Sequence, residues 1–430
     1  MSAVLTYPSQ IGELIEEGRR LTAEGPEWLR ALRARALEIV ETNGIPTPKN
    51  EEWKYTPLRE VAERAWTAPE PGPAVFDFDL PFVVEGSLRV VLVNGRLDRN
   101  LSDFRAVAGL TITSLFDALN TGDELQDWLG QAAKIENHPF AALNTALFRD
   151  GIVIRVTRGA VIEPVIEIVH VVAAEGQASA PRVLVVAEEG STAKIVERYV
   201  SAENVSTLNL PVTESFIAAD ANIEHVRVQD ESEAANHIGL WEARQEKGST
   251  YLAYNVAYGG RLARLDHSIF IGGEHATTRL DGVAVAHGEQ LIDNHTNLDH
   301  AVPNCGSFEV YKQIIDDEAT IVFNGKIMVY QDAQKTDAKQ TNQALLLSPN
   351  ATINSKPQLE IFADDVKCTH GATVGQLEET PLFYLMSRGM PRAQAEGILV
   401  YAFAAEVLEL ISIEPLKDDL ERRLFEKLGV

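Results

Sequence analysis

A change of grammar near residue 148 restricts this chain more than any other feature. From there short alternating runs follow one another at 152–156, 166–172, 183–186, 193–197, 214–218 and 224–228. They continue at 238–242, 251–257, 265–270, 278–285, 321–329 and 358–362. Each is half apolar at period two and bounded by Gly, Asp or Asn, as half-buried strands are. Helical periodicity is absent from the whole stretch, and the strands are too many for one sandwich. The turns repeat as well, with polar or glycine corners at Gly190, Asp220, Gly248, Gly260, Gly288, Asp317 and Asn350. Their spacing is roughly 25 to 35 residues, about one coil of a broad β-helix, in which each coil buries its face by stacking on its neighbours. A propeller repeats at about 40 residues or more, and a jelly roll needs no period. The expected fold is mainly β, a β-helix.

The flanks read differently. Residues 1–66 are predicted helical: Leu29, Leu32, Ala36, Leu37 and Val40 recur at three- and four-residue steps, and Asn43-Gly44 ends that helix. The prolines in 45–57 forbid a regular helix there. Residues 67–73, with three prolines and a glycine, read as a linker, and 87–140 mixes a strand (88–94) with helical stretches at 115–119 and 124–133. After Gln376 the pattern turns helical at 379–388, 392–411 and 416–428, with Gly389 and Pro391 between the first two. This gives a helix-rich domain at 1–147, a β-helix core at 148–377 and a helical domain at 378–430. Non-β elements at both termini suit a β-helix, whose ends would otherwise be open to other chains.

Composition excludes several roles. With 38 Lys plus Arg against 63 Asp plus Glu, the formal charge is −25, which repels nucleic acid and anionic membrane surfaces. Two cysteines cannot make a disulfide framework, and no run of about 18 apolar residues occurs. The N-terminus lacks a basic start followed by an apolar block. The expectation is a soluble, cytoplasmic protein. Neither GxxxxGK[ST], GxGxxG, GxSxG, HExxH nor CxxC is present, so ATP hydrolysis, dinucleotide binding and common hydrolase routes lack sequence support.

Four groups remain as candidates for chemistry. His237, His267, His275, His287, His295 and His300 crowd one region, and His295, His300 and Cys305 stand at five-residue steps. These are zinc- or iron-type donors, but in a strand that step puts successive groups on opposite faces. Cys368 and His370 are two apart, hence on one face, where an imidazole could ease deprotonation of the thiol. They make half a site at most, and on spacing alone a buried cysteine beside a corner histidine is the better reading. The Gln- and Thr-rich run 331–343 reads as a solvated corner, ahead of sugar binding or a polar ladder. The acidic pairs Asp316/Asp317 and Asp364/Asp365 could support glycoside chemistry, but adjacent acids are ordinary surface in so acidic a chain.

Several segments together resemble a known family: 46–58 (PTPKNEEWKYTPL), 137–151 (NHPFAALNTALFRDG), the core 326–375 with AQKTDAKQ and DDVKCTHGAT, and 382–389 (LFYLMSRG). They resemble the SufB/SufD family, scaffold subunits of the Suf iron–sulfur cluster assembly system, over nearly the whole length. The SufD side is favoured: no cysteine occurs within 341–345, where SufB accepts sulfur, and Gly371 follows the histidine where SufB has Glu. The resemblance implies a right-handed parallel β-helix between helical domains and a non-enzymatic scaffold role. It also implies a heterodimer with SufB through the β-helices, and docking of the SufC ABC-type ATPase on the C-terminal helices. The candidate docking residues are Phe383, Tyr384, Arg388 and Gly389. Cys368 and His370 are implied to lie near a transient iron–sulfur cluster shared with SufB. A flavin in the complex and a homodimer of the chain alone stay open, as does the role of the Trp53–Tyr55 segment. The competing readings are a β-helical carbohydrate-active enzyme and a SufB-like sulfur acceptor.

Overall fold

The computed structural model describes residues 6–7, 11–69, 76, 78–122, 125–136 and 138–428. Part of the expected linker, 70–73, lies outside the described residues.

The centre is a parallel β-solenoid of about eight coils, each giving one strand to each of two facing sheets. One sheet runs from Leu88–Val93 through Ile166–Val172, Thr192–Ser201, Asn222–Gln229, Thr250–Ala257, Thr277–Ala286, Gly306–Ile315 and Asp337–Leu346 to Lys367–Gly375. The other climbs from Gly151–Val156 through Arg182–Ala187, Val212–Ile217, Asn236–Gln245, Leu262–Ile271, Leu291–His300 and Thr320–Val329 to Thr352–Ile361. The strand expected at 88–94 thus joins the ladder, pairing in parallel with Ile166–Val172. The corners are where the Gly and Asp pattern put them. Gly190, Asp220, Gly248, Gly260, Gly288 and Asp317 all have positive φ, which an L side chain adopts at a cost and Gly or Asp tolerates best.

The interior changes character along the axis. The first coils are filled by Ile152, Ile154, Ile166, Ile168, Val183 and Val185. Further on, the same inward rows carry Glu197, Arg227, Asn255, Tyr311 and Asn342, all buried. Glu197 accepts from His170 and His225 at 3.0 and 3.1 Å. Burial would raise its carboxyl, but the two imidazoles outweigh it and hold the group well below the usual range.

This polar interior accounts for the strands that alternation did not reveal. Leu291–His300 places Asn294, Thr296 and His300 inward, and Gly306–Ile315 places Ser307, Glu309 and Gln313 inward. The run 331–343 is not one corner. It turns at Lys335, with φ 64°, and becomes the strand Asp337–Leu346, whose Gln340 and Asn342 are buried. The helix expected at 124–133 reduces to a single turn of 3-10 helix, Leu125–Asp127, within the described residues.

Helices cover both flanks. Gly12–Leu21, Glu27–Asn43 and Pro139–Leu147 bury Leu14, Ala36, Leu37, Phe140 and Leu143 against Ala178, Leu208, Ile238 and Leu262 of one sheet. Arg392–Leu408 and Glu414–Leu428 bury Val400, Ala404, Val407, Leu416 and Leu420 against Val226, Val256, Val283 and Ile314 of the other.

Candidate functional site

The Trp53–Tyr55 segment is a clamp. Trp53 is buried, the Arg264 guanidinium lies 3.7 Å over its ring, and His138 and Phe140 pack against it. Arg264 also meets Asp266 and Asp293, at 2.7 and 2.8 Å. His295 completes the cluster, 3.1 Å from Asp293 and 3.6 Å from Glu52. Burial lowers its pKa, but Asp293 and Glu52 outweigh that and bring it up to about 9. The imidazolium is therefore a structural cation at neutral pH.

The run of histidines separates as strand parity requires. His295 faces outward into the clamp. His300 faces inward, is hydrogen-bonded to Ser307 at 2.9 Å, and is pushed down to about 4 by burial. Cys305 is buried, with its thiol 3.3 Å from the Gly273 carbonyl. His237 is paired with Glu231 at 2.6 Å, His267 stacks on Trp241, and His275 and His287 sit at corners. Among the described residues no group of three or more His, Cys, Asp or Glu is arranged to hold a metal ion. The acidic pairs are corner residues: Asp317 accepts from the Gly288 amide at 2.9 Å, and Asp365 pairs with Lys335.

Cys368 and His370 lie at the end of the solenoid. Their strand, Lys367–Gly375, is the last of its sheet, as Thr352–Ile361 is of the other, so each leaves one edge unpaired. Both side chains belong to the inward rows. Cys368 stands in register above Ala338 and packs against the interior cluster, and His370 stands above Gln340. Gln340 donates to Glu309 at 2.8 Å, and Glu309 accepts from Thr296 at 2.6 Å. Burial pushes Glu309 up to about 7. His370 is exposed and Cys368 half-buried, because no further coil covers them.

The expected easing of the thiol does not occur. Burial pushes Cys368 above its ordinary value, Asp337 adds to this, and a hydrogen bond from the Ala338 backbone only partly opposes it. In this chain alone Cys368 is a thiol at neutral pH. A thiol-reactive probe should therefore label Cys368 first and reach Cys305 only on unfolding. Equal rates would contradict the burial of Cys305.

The two free edges are not equivalent. Thr352–Ile361 carries Lys356, Pro357 and Glu360, the proline and charges that discourage edge pairing. Lys367–Gly375 has Lys367 at its start and then Cys-Thr-His-Gly-Ala-Thr-Val-Gly, with Val374 exposed. Phe362, directly after Thr352–Ile361, and Tyr330 are exposed as well. Sequence reasoning found the Cys–His pair but not this edge.

Of the C-terminal helices, Glu379–Ser387 stands apart. Only Leu382 is buried on it, and Phe383 and Tyr384 are 72% and 57% exposed. Arg388 sits 5.3 Å from the Tyr384 ring, and Gly389 turns the chain with φ 93°. No helix among the described residues is long and apolar enough to cross a membrane.

Comparison with known proteins agrees over most of the chain. Residues 170–403 match the model of the "SUF system FeS cluster assembly, SufBD core domain", and 8–168 that of the "SufBD protein N-terminal region". The chain is 31% identical to the iron–sulfur cluster assembly protein SufD of Escherichia coli, over 94% of each chain. It is 31% identical to a SufBD family protein of Synechocystis, over 91% of this chain and 89% of that one. With the Bacillus subtilis iron–sulfur cluster assembly protein SufD the identity is 26%, over 92% and 93%. From its solenoid, its terminal block and these matches, the chain belongs to the SufBD family of iron–sulfur cluster assembly proteins.

Proposed function

We propose that this chain is a scaffold subunit that catalyses no reaction itself, holding one side of a nascent iron–sulfur cluster between itself and a SufB-type sister chain. The observation that carries the reading is the uncapped solenoid end, where the less defended edge bears Cys368 and His370 in its inward row. A second solenoid laid against Lys367–Gly375 would complete the ladder, cover Val374, and bring its own donors to the two residues. The cluster is cargo here. One imidazole with thiolates from the sister chain would form a mixed-ligand site that releases it more readily than four cysteines of one chain. The half-site fits this reading, because two donors on one face need a partner to complete them.

The second contact proposed is with an ABC-type ATPase of the SufC kind. Phe383, Tyr384, Arg388 and Gly389 offer an exposed aromatic face with one cation on a short helix, and aromatic and arginine side chains are those most often decisive at interfaces. The absent P-loop is consistent with an ATPase on another chain.

Mild affinity purification of the full chain from its native cytoplasm, read by native mass, tests both contacts. Recovery of a sister scaffold and an ATPase is expected. Phe383→Glu with Tyr384→Ala should lose the ATPase and keep the sister chain. A chain recovered alone or only as a homodimer, at several salt concentrations, would overturn the reading.

A further inference from the structure

The C-terminal helices are tied to the solenoid unevenly. Far from the open end the ties are many. Asp419 meets Arg198 at 2.7 Å, the Tyr258 and Tyr254 hydroxyls donate to the Leu420 and Leu410 carbonyls, and the Ser412 amide donates to Glu224 at 2.7 Å. These fix residues 410–420 to the strands Thr192–Ser201, Asn222–Gln229 and Thr250–Ala257.

Toward the open end the polar tie is Lys312. It points outward from Gly306–Ile315 under the helix Arg392–Leu408, only 3% exposed. Its Nζ bonds Glu406 of that helix and Gln343 of the next strand, and it lies 4.6 Å from the centre of the Phe403 ring. Gln343 is in register with Lys312 on one side and with Thr373 on the other. Thr373 belongs to the strand of Cys368 and His370. One buried lysine therefore links the helix that follows the exposed docking helix to the strand paired with that of the candidate cluster site.

The two members of the pair depend on it differently. The Glu406 side chain is 63% exposed and would be hydrated without Lys312. Among the described residues Glu406 is the one carboxylate paired with Lys312, and a buried ammonium that loses its carboxylate is strongly disfavoured. When the helix shifts, apolar packing can slide by small steps, but Lys312 must follow its carboxylate.

We infer that the Lys312–Glu406 pair is a strut that passes displacement of the C-terminal helices, through Gln343, to the strand holding Cys368 and His370. The inference rests on the ATPase docking proposed above. Lys312 and Glu406 are positioning residues, since neither touches the site.

The test uses the complex reconstituted from full-length chains, with the ATPase and the sister scaffold. The rate at which a maleimide labels Cys368 is followed with and without ATP and assigned to this chain by mass spectrometry. In the wild-type complex ATP should change the rate by at least about fivefold, the lower range of an allosteric coupling. Lys312→Met should recover the same amount of ATPase and label at the wild-type rate without nucleotide, yet lose the ATP effect; Glu406→Gln, where it folds, should lose it too. Lys312→Arg should restore it. Lys312→Met leaves Glu406 exposed and hydrated, so it decides the matter should Glu406→Gln, which strands the buried ammonium, fold poorly. A retained ATP effect in Lys312→Met, or no ATP effect in the wild-type complex, overturns the strut. Failure of the wild-type chain to recover any ATPase overturns the docking reading, and the strut with it.

Discussion

His370→Ala should lower cluster assembly by at least about tenfold while leaving recovery of the sister scaffold and the ATPase unchanged. The magnitude follows from metal sites generally, where losing even an outer-shell partner of a ligand costs 10- to 100-fold in affinity or activity. The separation of effects follows from geometry. His370 is exposed and makes no apolar contact that the strand needs, and Gln340 beneath it already has Glu309 as its acceptor. The register of Lys367–Gly375 is set by nine consecutive residue pairs with Asp337–Leu345, none of which needs an imidazole. The measurement is the rate of cluster formation on the reconstituted complex, followed by visible absorption, beside native mass of the same sample. Wild-type rates in His370→Ala would remove this residue from the site. Cys368→Ala is the informative companion, because its half-buried thiol also packs on the interior, so part of any loss would be structural.

The second large effect lies at the other end of the sequence. Trp53→Ala should destabilise attachment of the N-terminal region by about 3–5 kcal/mol, the range for truncating a large buried aromatic. Arg264 makes the site unforgiving, for its guanidinium is stacked on that ring and wholly buried. Tyr55→Ala, two residues on, removes a side chain that is 40% exposed and should stay within about 0.5 kcal/mol of wild type. Limited proteolysis reads the difference: cleavage within 45–58 should appear in Trp53→Ala under conditions that spare Tyr55→Ala. Equal protection would show that the segment is held by its backbone alone. The same clamp has a pH signature. The pKa of His295 is raised on folding, so its contribution is complete below the unfolded value of about 6.5 and is lost as pH rises through about 9. Cleavage in 45–58 should therefore be faster at pH 10 than at pH 6.5.

What could be read from the sequence follows from how each feature is encoded. The corners were legible because positive φ selects Gly, Asp and Asn, and Gly190, Asp220 and Gly248 announce it directly. The strands of the early coils were legible because their inward rows are Ile and Val. Gly306–Ile315 and Asp337–Leu346 were hidden because their inward rows carry Ser307, Glu309, Gln340 and Asn342, so hydropathy does not alternate. The Cys368–His370 pair needed only strand parity. That it sits on the last strand of its sheet could not be read, because an edge is defined by the absence of the next strand. The high pKa of Cys368 depends on burial by residues distant in sequence, and reasoning from its neighbour His370 gave the wrong direction. Trp53 belongs to the 46–58 block, but its partner Arg264 is 211 residues away and nothing local announces it.

The contrast between the two terminal edges bears on the upkeep of the protein in the cell. A bare strand without proline and with one lysine is a template for further strands. Chains made in excess of whatever lies against Lys367–Gly375 would carry that template uncovered, and would meet one another or the proteases that clear exposed segments. If the proposed sister chain covers this edge, the two have to be made in matched amounts. Overproduced alone, it should be short-lived or self-associated, and its yield would be governed by stoichiometry more than by the stability of its fold.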